Sequence, residues 1–208
     1  VHTVGANARL TAADIPWDEV RKSKVLYVGG FLLASGIAGR ELAEVFQQAR
    51  AAGVKTVLDV VVPGKGDHWS QVAAVLPHTD VFLPNEDEGL AITGLKNPRE
   101  QAEKFLAAGA GTVVITCGGA GTYLLSRELS LKAGIFAQPF VSGTGAGDAF
   151  DAGYIAAILR GLGPRECLAW GAALGGSCVR AASATASVFT RVEAEEFLRT
   201  HSLPIESL

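Results

Sequence analysis

The chain has 208 residues, 49% of them hydrophobic and 19% charged, with a net charge of −3, enough apolar material for a buried core within one domain. The slight acidity and the lack of a basic run leave nucleic acid and anionic membrane surfaces without electrostatic support, and no apolar stretch approaches the roughly 20 residues of a membrane helix. Cys117, Cys167 and Cys178 are too far apart for a disulfide framework or a Cys-x-x-Cys metal site and are expected as reduced, mostly buried thiols.

In chain order, Val25 to Val28 reads as a strand, Arg40 to Ala52 as an amphipathic helix ending at Gly53, and Val54 to Val61 as a nearly all-apolar strand. A helix over Trp69 to Leu76, a short strand at Val81 to Leu83 and a helical turn over Glu86 to Ile92 follow. Asn97 and Pro98 open a helix that runs to Ala108. Thr112 to Thr116 is a buried strand; Gly121 to Ser126 and Leu129 to Ala133 form a hairpin about Arg127-Glu128. Beyond a glycine-rich segment the chain reads as helical at Asp148 to Leu162, Pro164 to Ala181 and Val192 to His201. Alternating strands and helices with short connections predict a single domain over 1–208, a three-layer α/β/α sandwich with a mainly parallel sheet. Ligands in such sheets gather at the carboxyl ends of strands, so the segments after Leu83, after Thr116 and before Asp148 are expected to converge.

The segment Gly143-Thr144-Gly145-Ala146-Gly147-Asp148 carries the most chemistry. Where a coil becomes a helix, the first N–H groups lack intrahelical partners, and glycine lets a phosphate approach them. Asp148 reads either as the N-cap of that helix or as a general base beside amides that stabilise a migrating phosphoryl group. Asn85 and Glu88 read on their own as a helix start with acidic residues favoured by the dipole. Gly118, Gly119 and Gly121 read as a hairpin entry or as a phosphate-binding turn. His2, His68, His78 and His201 show no metal-ligand spacing. Gly143-x-Gly145-x-Gly147 is followed by helices rather than a βαβ unit, which argues against a dinucleotide fold, and Gly64-Lys65-Gly66 lacks the P-loop pattern. Asp59, Trp17, Trp69 and Trp170 read as structural; Gly29-Gly30 reads as a tight turn or a substrate approach.

Thr144-Gly145-Ala146-Gly147-Asp148-Ala149-Phe150, with Ala152-Gly153, resembles the C-terminal signature of the ribokinase-like (PfkB) carbohydrate kinases. Asn85-Glu86-Asp87-Glu88 resembles the family's Asn-x-x-Glu motif, and Thr116-Cys117-Gly118-Gly119-Ala120-Gly121 its nucleotide-binding segment. Gly5-Ala6-Asn7-Ala8 and Leu10-Thr11 are similar to the middle of a ribokinase. The resemblance implies ATP-dependent phosphorylation of a sugar hydroxyl, with Asp148 as base and Gly145, Ala146 and Gly147 as anion hole. It places Asn85, Thr116, Gly118, Gly119, Gly121 and Thr144 at the nucleotide, and Asn85 and Glu88 at magnesium, through water. The alternatives are a nucleoside kinase of the same family and a non-catalytic nucleotide-binding fragment. A cytoplasmic location is expected, with no nucleic-acid or membrane partner and a homodimer in the complete protein.

Two departures matter. Family members carry an aspartate where this chain has Ser142, and that aspartate helps bind an activating monovalent cation, so the resemblance leaves potassium dependence open here. Relatives also carry roughly a further third of chain ahead of this region, with the first strands, a sugar-binding aspartate and a β-lid, so the isolated chain is expected to show little sugar kinase activity. The polar residue often found near adenine falls about Ala172.

Overall fold

The computed structural model describes residues 5–64 and 66–208; His2 and Lys65 lie outside the described residues. The elements are α1 (Trp17–Val20), β1 (Val25–Val28), α2 (Gly39–Ala51), β2 (Lys55–Leu58), α3 (His68–Val75), β3 (Val81–Phe82), α4 (Glu86–Thr93), α5 (Pro98–Ala107), β4 (Thr112–Thr116), β5 (Thr122–Ser126), β6 (Ser130–Ala133), α6 (Ala146–Leu159), α7 (Pro164–Cys178), α8 (Arg191–Thr200) and β7 (Ile205–Ser207). They group into two units, one running through Ile115 and including Tyr123–Ser130, the other made of Thr116–Thr122 and Leu131–Leu208.

In the first unit β1, β2, β3 and β4 pair in parallel in chain order, with Val25 opposite Lys55, Val57 opposite Val81 and Val81 opposite Thr112. Val57, Leu58, Phe82, Val113, Val114 and Ile115 are fully or nearly fully buried, as expected of parallel strands covered on both faces. Thr56 is also buried, because its hydroxyl donates to His78 O at 2.6 Å and accepts from Asp80 N at 3.0 Å while Asp80 Oδ2 accepts from Thr56 N at 2.8 Å. This interlock joins β2 to the turn before β3 with every buried polar group satisfied. Leu42, Val45, Phe46 and Ala49 line the buried stripe of α2, and Phe82 meets Phe105 of α5 edge-on at 4.9 Å.

The eight-residue strand expected over Val54 to Val61 shortens to Lys55–Leu58. Asp59 ends it: its N–H still donates to Val28 O, but its carbonyl accepts from Phe31 N and its Oδ2 from Gly30 N at 3.0 Å, which turns the chain out of the ladder. Gly30, at φ 65°, supplies the left-handed residue that this turn needs.

In the second unit α6 and α7 approach through glycines. A Cβ on Gly171 would come within 2.9 Å of the Phe150 ring, and one on Gly175 within 3.0 Å of Ala146 O, so small residues set the spacing between the two axes. β6 pairs antiparallel with β7, Leu131 opposite Ser207, and Arg165 holds β7 by donating to Ile205 O and to Ser207 Oγ. The helix expected over Val192 to His201 is α8, Arg191–Thr200, and the strand β7 that follows it was not foreseen. Thr190 and Glu193 form a reciprocal capping box at the start of α8, and Phe197 of α8 packs edge-on against Phe136 at 4.9 Å. All three cysteines are buried and lie outside any disulfide among the described residues, and no helix among the described residues is long and apolar enough to cross a membrane.

Candidate active site

The α6 start differs from its sequence reading in one informative way. The helix begins at Ala146, two residues earlier than expected, and its N-cap is Gly145 at φ 82°. Asp148 is therefore the third helical residue and not the cap. Its carboxylate is exposed and takes no hydrogen bond or ion pair among the described residues.

Around it, the first N–H groups divide unequally. Ala149 N donates to Gly145 O at 2.9 Å, the first helical bond, and Ala146 N donates to Gly143 O at 3.1 Å, closing the turn before it. Among the described residues the N–H groups of Gly145, Gly147 and Asp148 have no partner in the protein, so three of the segment's donors are open and that of Ala146 is shared with the turn. The Ser142 hydroxyl accepts from Thr144 N at 3.2 Å, and so turns inward on its own loop.

A cavity of about 470 Å³ lies wholly within this unit, lined among others by Thr116, Gly118, Gly119, Gly121, Ala146 and Gly147. Two of the three motifs singled out in the sequence thus meet on one cavity. Gly118–Ala120 forms one turn of 3-10 helix, and Gly121 (φ 94°, ψ −141°) feeds β5, its carbonyl accepting from Cys117 N at 2.8 Å. Much of the remaining wall is apolar, with Phe136, Phe140, Ala172, Gly175 and Val179, and Gln138 adds a polar side chain. A mostly apolar cavity next to open helical N–H groups can take an aromatic base against its apolar wall and an anion at the N–H groups.

Asn85 and Glu88 belong to the first unit, where they form a capping box. Asn85 Oδ1 accepts from Glu88 N at 2.9 Å, and Glu88 Oε2 accepts from Asn85 N at 2.9 Å. The cap reading is thus realised in geometry, and Glu88 Oε1 is left over for other chemistry. Burial pushes the Glu88 carboxyl up to about 7; the Asn85 bonds oppose the rise, while the charges of Asp59 and Asp87 add to it. Asp59, read from the sequence as structural, therefore belongs to this acidic group, and its place just beyond the carboxyl end of a parallel strand was the available signal. Among the described residues no group of three or more His, Cys, Asp or Glu side chains forms a direct metal cage. A half-buried carboxyl made reluctant to ionise by burial and like charges does fit a hydrated divalent cation, which relieves both penalties.

A family model described as pfkB family carbohydrate kinase matches residues 2–191. The ribokinase of Haemophilus influenzae is 31% identical over 201 residues, covering 93% of this chain and 62% of that protein. Among solved structures, the ribokinase of Thermotoga maritima superposes with a TM-score of 0.81 at 25% identity over 96% of this chain and 65% of its own; that of Arabidopsis thaliana, complexed with ribose and ATP, gives 0.78 at 24% identity over 97% of this chain and 65% of its own. The fold is accordingly the three-layer, mainly parallel ribokinase-like α/β arrangement. The chain spans 34% to 62% of the length of the first curated relatives that it matches.

Proposed function

Because the chain belongs to the pfkB family of carbohydrate kinases, we propose that it carries the nucleotide-binding and proton-accepting half of an ATP-dependent sugar kinase. The observation that carries the reading is the start of α6: open N–H groups at Gly145, Gly147 and Asp148 beside an exposed, unpartnered Asp148 carboxylate, next to a cavity walled by Gly118, Gly119 and Gly121.

In this reading the adenine lies against the apolar wall at Phe136, Ala172 and Val179, and the polyphosphate runs past Thr116, the Gly118–Gly121 turn and Thr144 towards α6. The amides of the Gly145–Gly147 segment, with that of Asp148, stabilise the charge on the phosphoryl group as it moves, in a geometry fixed before the reaction. Asp148 accepts the proton of the attacking sugar hydroxyl; its carboxylate is open to do so because no donor among the described residues holds it. Glu88, through Oε1, and Asn85 hold hydrated magnesium, with the Asp59 charge behind them. The ion supplies charge neutralisation on the phosphates when bound. A homodimer and a cytoplasmic location of the complete protein belong to the same proposal.

Titration of the 208-residue chain with ATP, with and without magnesium, tests the nucleotide half, and a sugar-phosphorylation panel on the same chain should show little turnover. In the complete enzyme Asp148→Asn should lower turnover by at least ~10². Unchanged turnover would remove Asp148 from the reaction.

A further inference from the structure

Behind the α6 start lies a group of contacts that the glycine motif does not announce. Cys178, the last residue of α7, is fully buried, and its Sγ lies 3.5 Å from Thr144 O and 3.2 Å from Ala184 O. One thiol proton is thus shared between the loop that opens α6 and the segment that follows α7. Two residues on, the Arg180 guanidinium donates from Nε to Ser177 O at 2.9 Å and from Nη2 to Ser187 O at 2.6 Å, and stacks over Phe189 at 4.6 Å. The Ser187 hydroxyl closes the circuit by donating to Cys178 O at 2.9 Å. Val179 O accepts from both Val141 N and Ser142 N, at 2.7 and 3.2 Å. Gly145 leans directly on the same segment: a Cβ there would come within 2.7 Å of the Ala184 Cβ.

We propose that Cys178 and Arg180 are positioning residues for phosphoryl transfer: they brace the 183–187 segment against Thr144 and Gly145, and so aim the N–H groups of Gly145, Gly147 and Asp148 at the phosphate. The inference rests on the nucleotide reading above. Its physical content is division of labour. A thiol is a weak donor, so Cys178 acts chiefly by filling the space between two carbonyls and giving them a common partner. Arg180 supplies the stiffness, since a planar guanidinium makes two directed bonds at little cost in order. Donors held in place beforehand need no rearrangement when charge arrives. Burial, with the charge of Asp148 adding to it, pushes the Cys178 thiol pKa up.

The test uses the 208-residue chain with Cys178→Ala, Cys178→Ser, Arg180→Gln and Arg180→Lys, read by MgATP titration and by hydrogen exchange of the 141–149 segment. Cys178→Ala and Arg180→Gln should each bind MgATP roughly tenfold more weakly or worse, since small misplacements of preorganised groups are costly, and the 141–149 amides should exchange faster. Cys178→Ser, which keeps a donor, should recover most of the affinity; Arg180→Lys, which loses the fork, should not. A merely structural role would lower the melting temperature but leave affinity below the transition unmoved. Should Cys178→Ala not fold, Arg180→Gln decides alone. Wild-type affinity in the variants overturns this inference by itself; no MgATP binding by the wild type overturns the functional reading and this inference with it.

Discussion

Glu88→Gln separates the two duties of one side chain. Glutamine retains an oxygen that can accept from Asn85 N, so the capping box survives, while the charge disappears. In the folded protein the Glu88 carboxyl sits at about 7 against an ordinary 4.5. Below pH 4.5 it is protonated whether the chain is folded or not, and it costs nothing. As pH rises towards 7 the unfolded chain releases its proton first, so stability falls across this window and the full penalty stands above it. At roughly 1.4 kcal/mol per tenfold change in proton affinity the gap amounts to about 3 kcal/mol; solvent reaching the half-buried carboxylate screens this to about 1–2 kcal/mol. Urea unfolding should therefore find Glu88→Gln more stable than the wild type by about 1–2 kcal/mol at pH 8 and equal to it near pH 4.5. Millimolar magnesium should stabilise the wild type at pH 8 and leave the variant unchanged. A variant that is less stable at pH 8, or a difference that does not move with pH, would refute the assignment of Glu88 as a charge held at a cost.

Other perturbations probe neighbouring features. Gly145→Ala places a Cβ against Ala184 at φ 82° and should cost at least ~2 kcal/mol in thermal melts, whereas Gly143→Ala, whose Cβ meets nothing within 4 Å, should be nearly silent; equal effects would show that the Ala184 contact is not what constrains the loop. Asn85→Ala removes the acceptor of Glu88 N and should destabilise by ~1 kcal/mol in urea at pH 5, and a neutral result would count against the cap. With Ser142 turned onto Thr144 N, MgATP affinity should be equal in potassium and sodium buffers; a strong potassium preference would show that a cation site operates without an aspartate at position 142.

The motifs were legible because each depends on short-range chemistry. Asn97-Pro98 opened α5 as written, and the glycine run marked the passage from coil to helix. What local spacing could not settle was the helix start, since Ala146 N bonds back to Gly143 O and Gly145 takes a left-handed conformation; this moved Asp148 from cap to first turn. The apolar run to Val61 hid the end of β2, because Asp59 leaves the ladder for partners some thirty residues earlier, at Gly30 and Phe31. β7 has only three residues and depends on Arg165, 40 and 42 positions away from its partners. The Cys178–Arg180 brace likewise joins segments that only the tertiary fold brings together.

Gln101 is fully buried, its Nε2 donating to Glu86 O and Leu95 O, while its Oε1 presses on the bare Cα side of Gly89 and has no hydrogen-bond partner among the described residues. Neither position can change alone: any side chain at 89 would strike the carboxamide, and a shorter residue at 101 would strand two carbonyls. Descendants of this sequence should therefore keep the pair or exchange both together, a correlated drift that a library randomised at 89 and 101 and sorted for folded protein would bring to light.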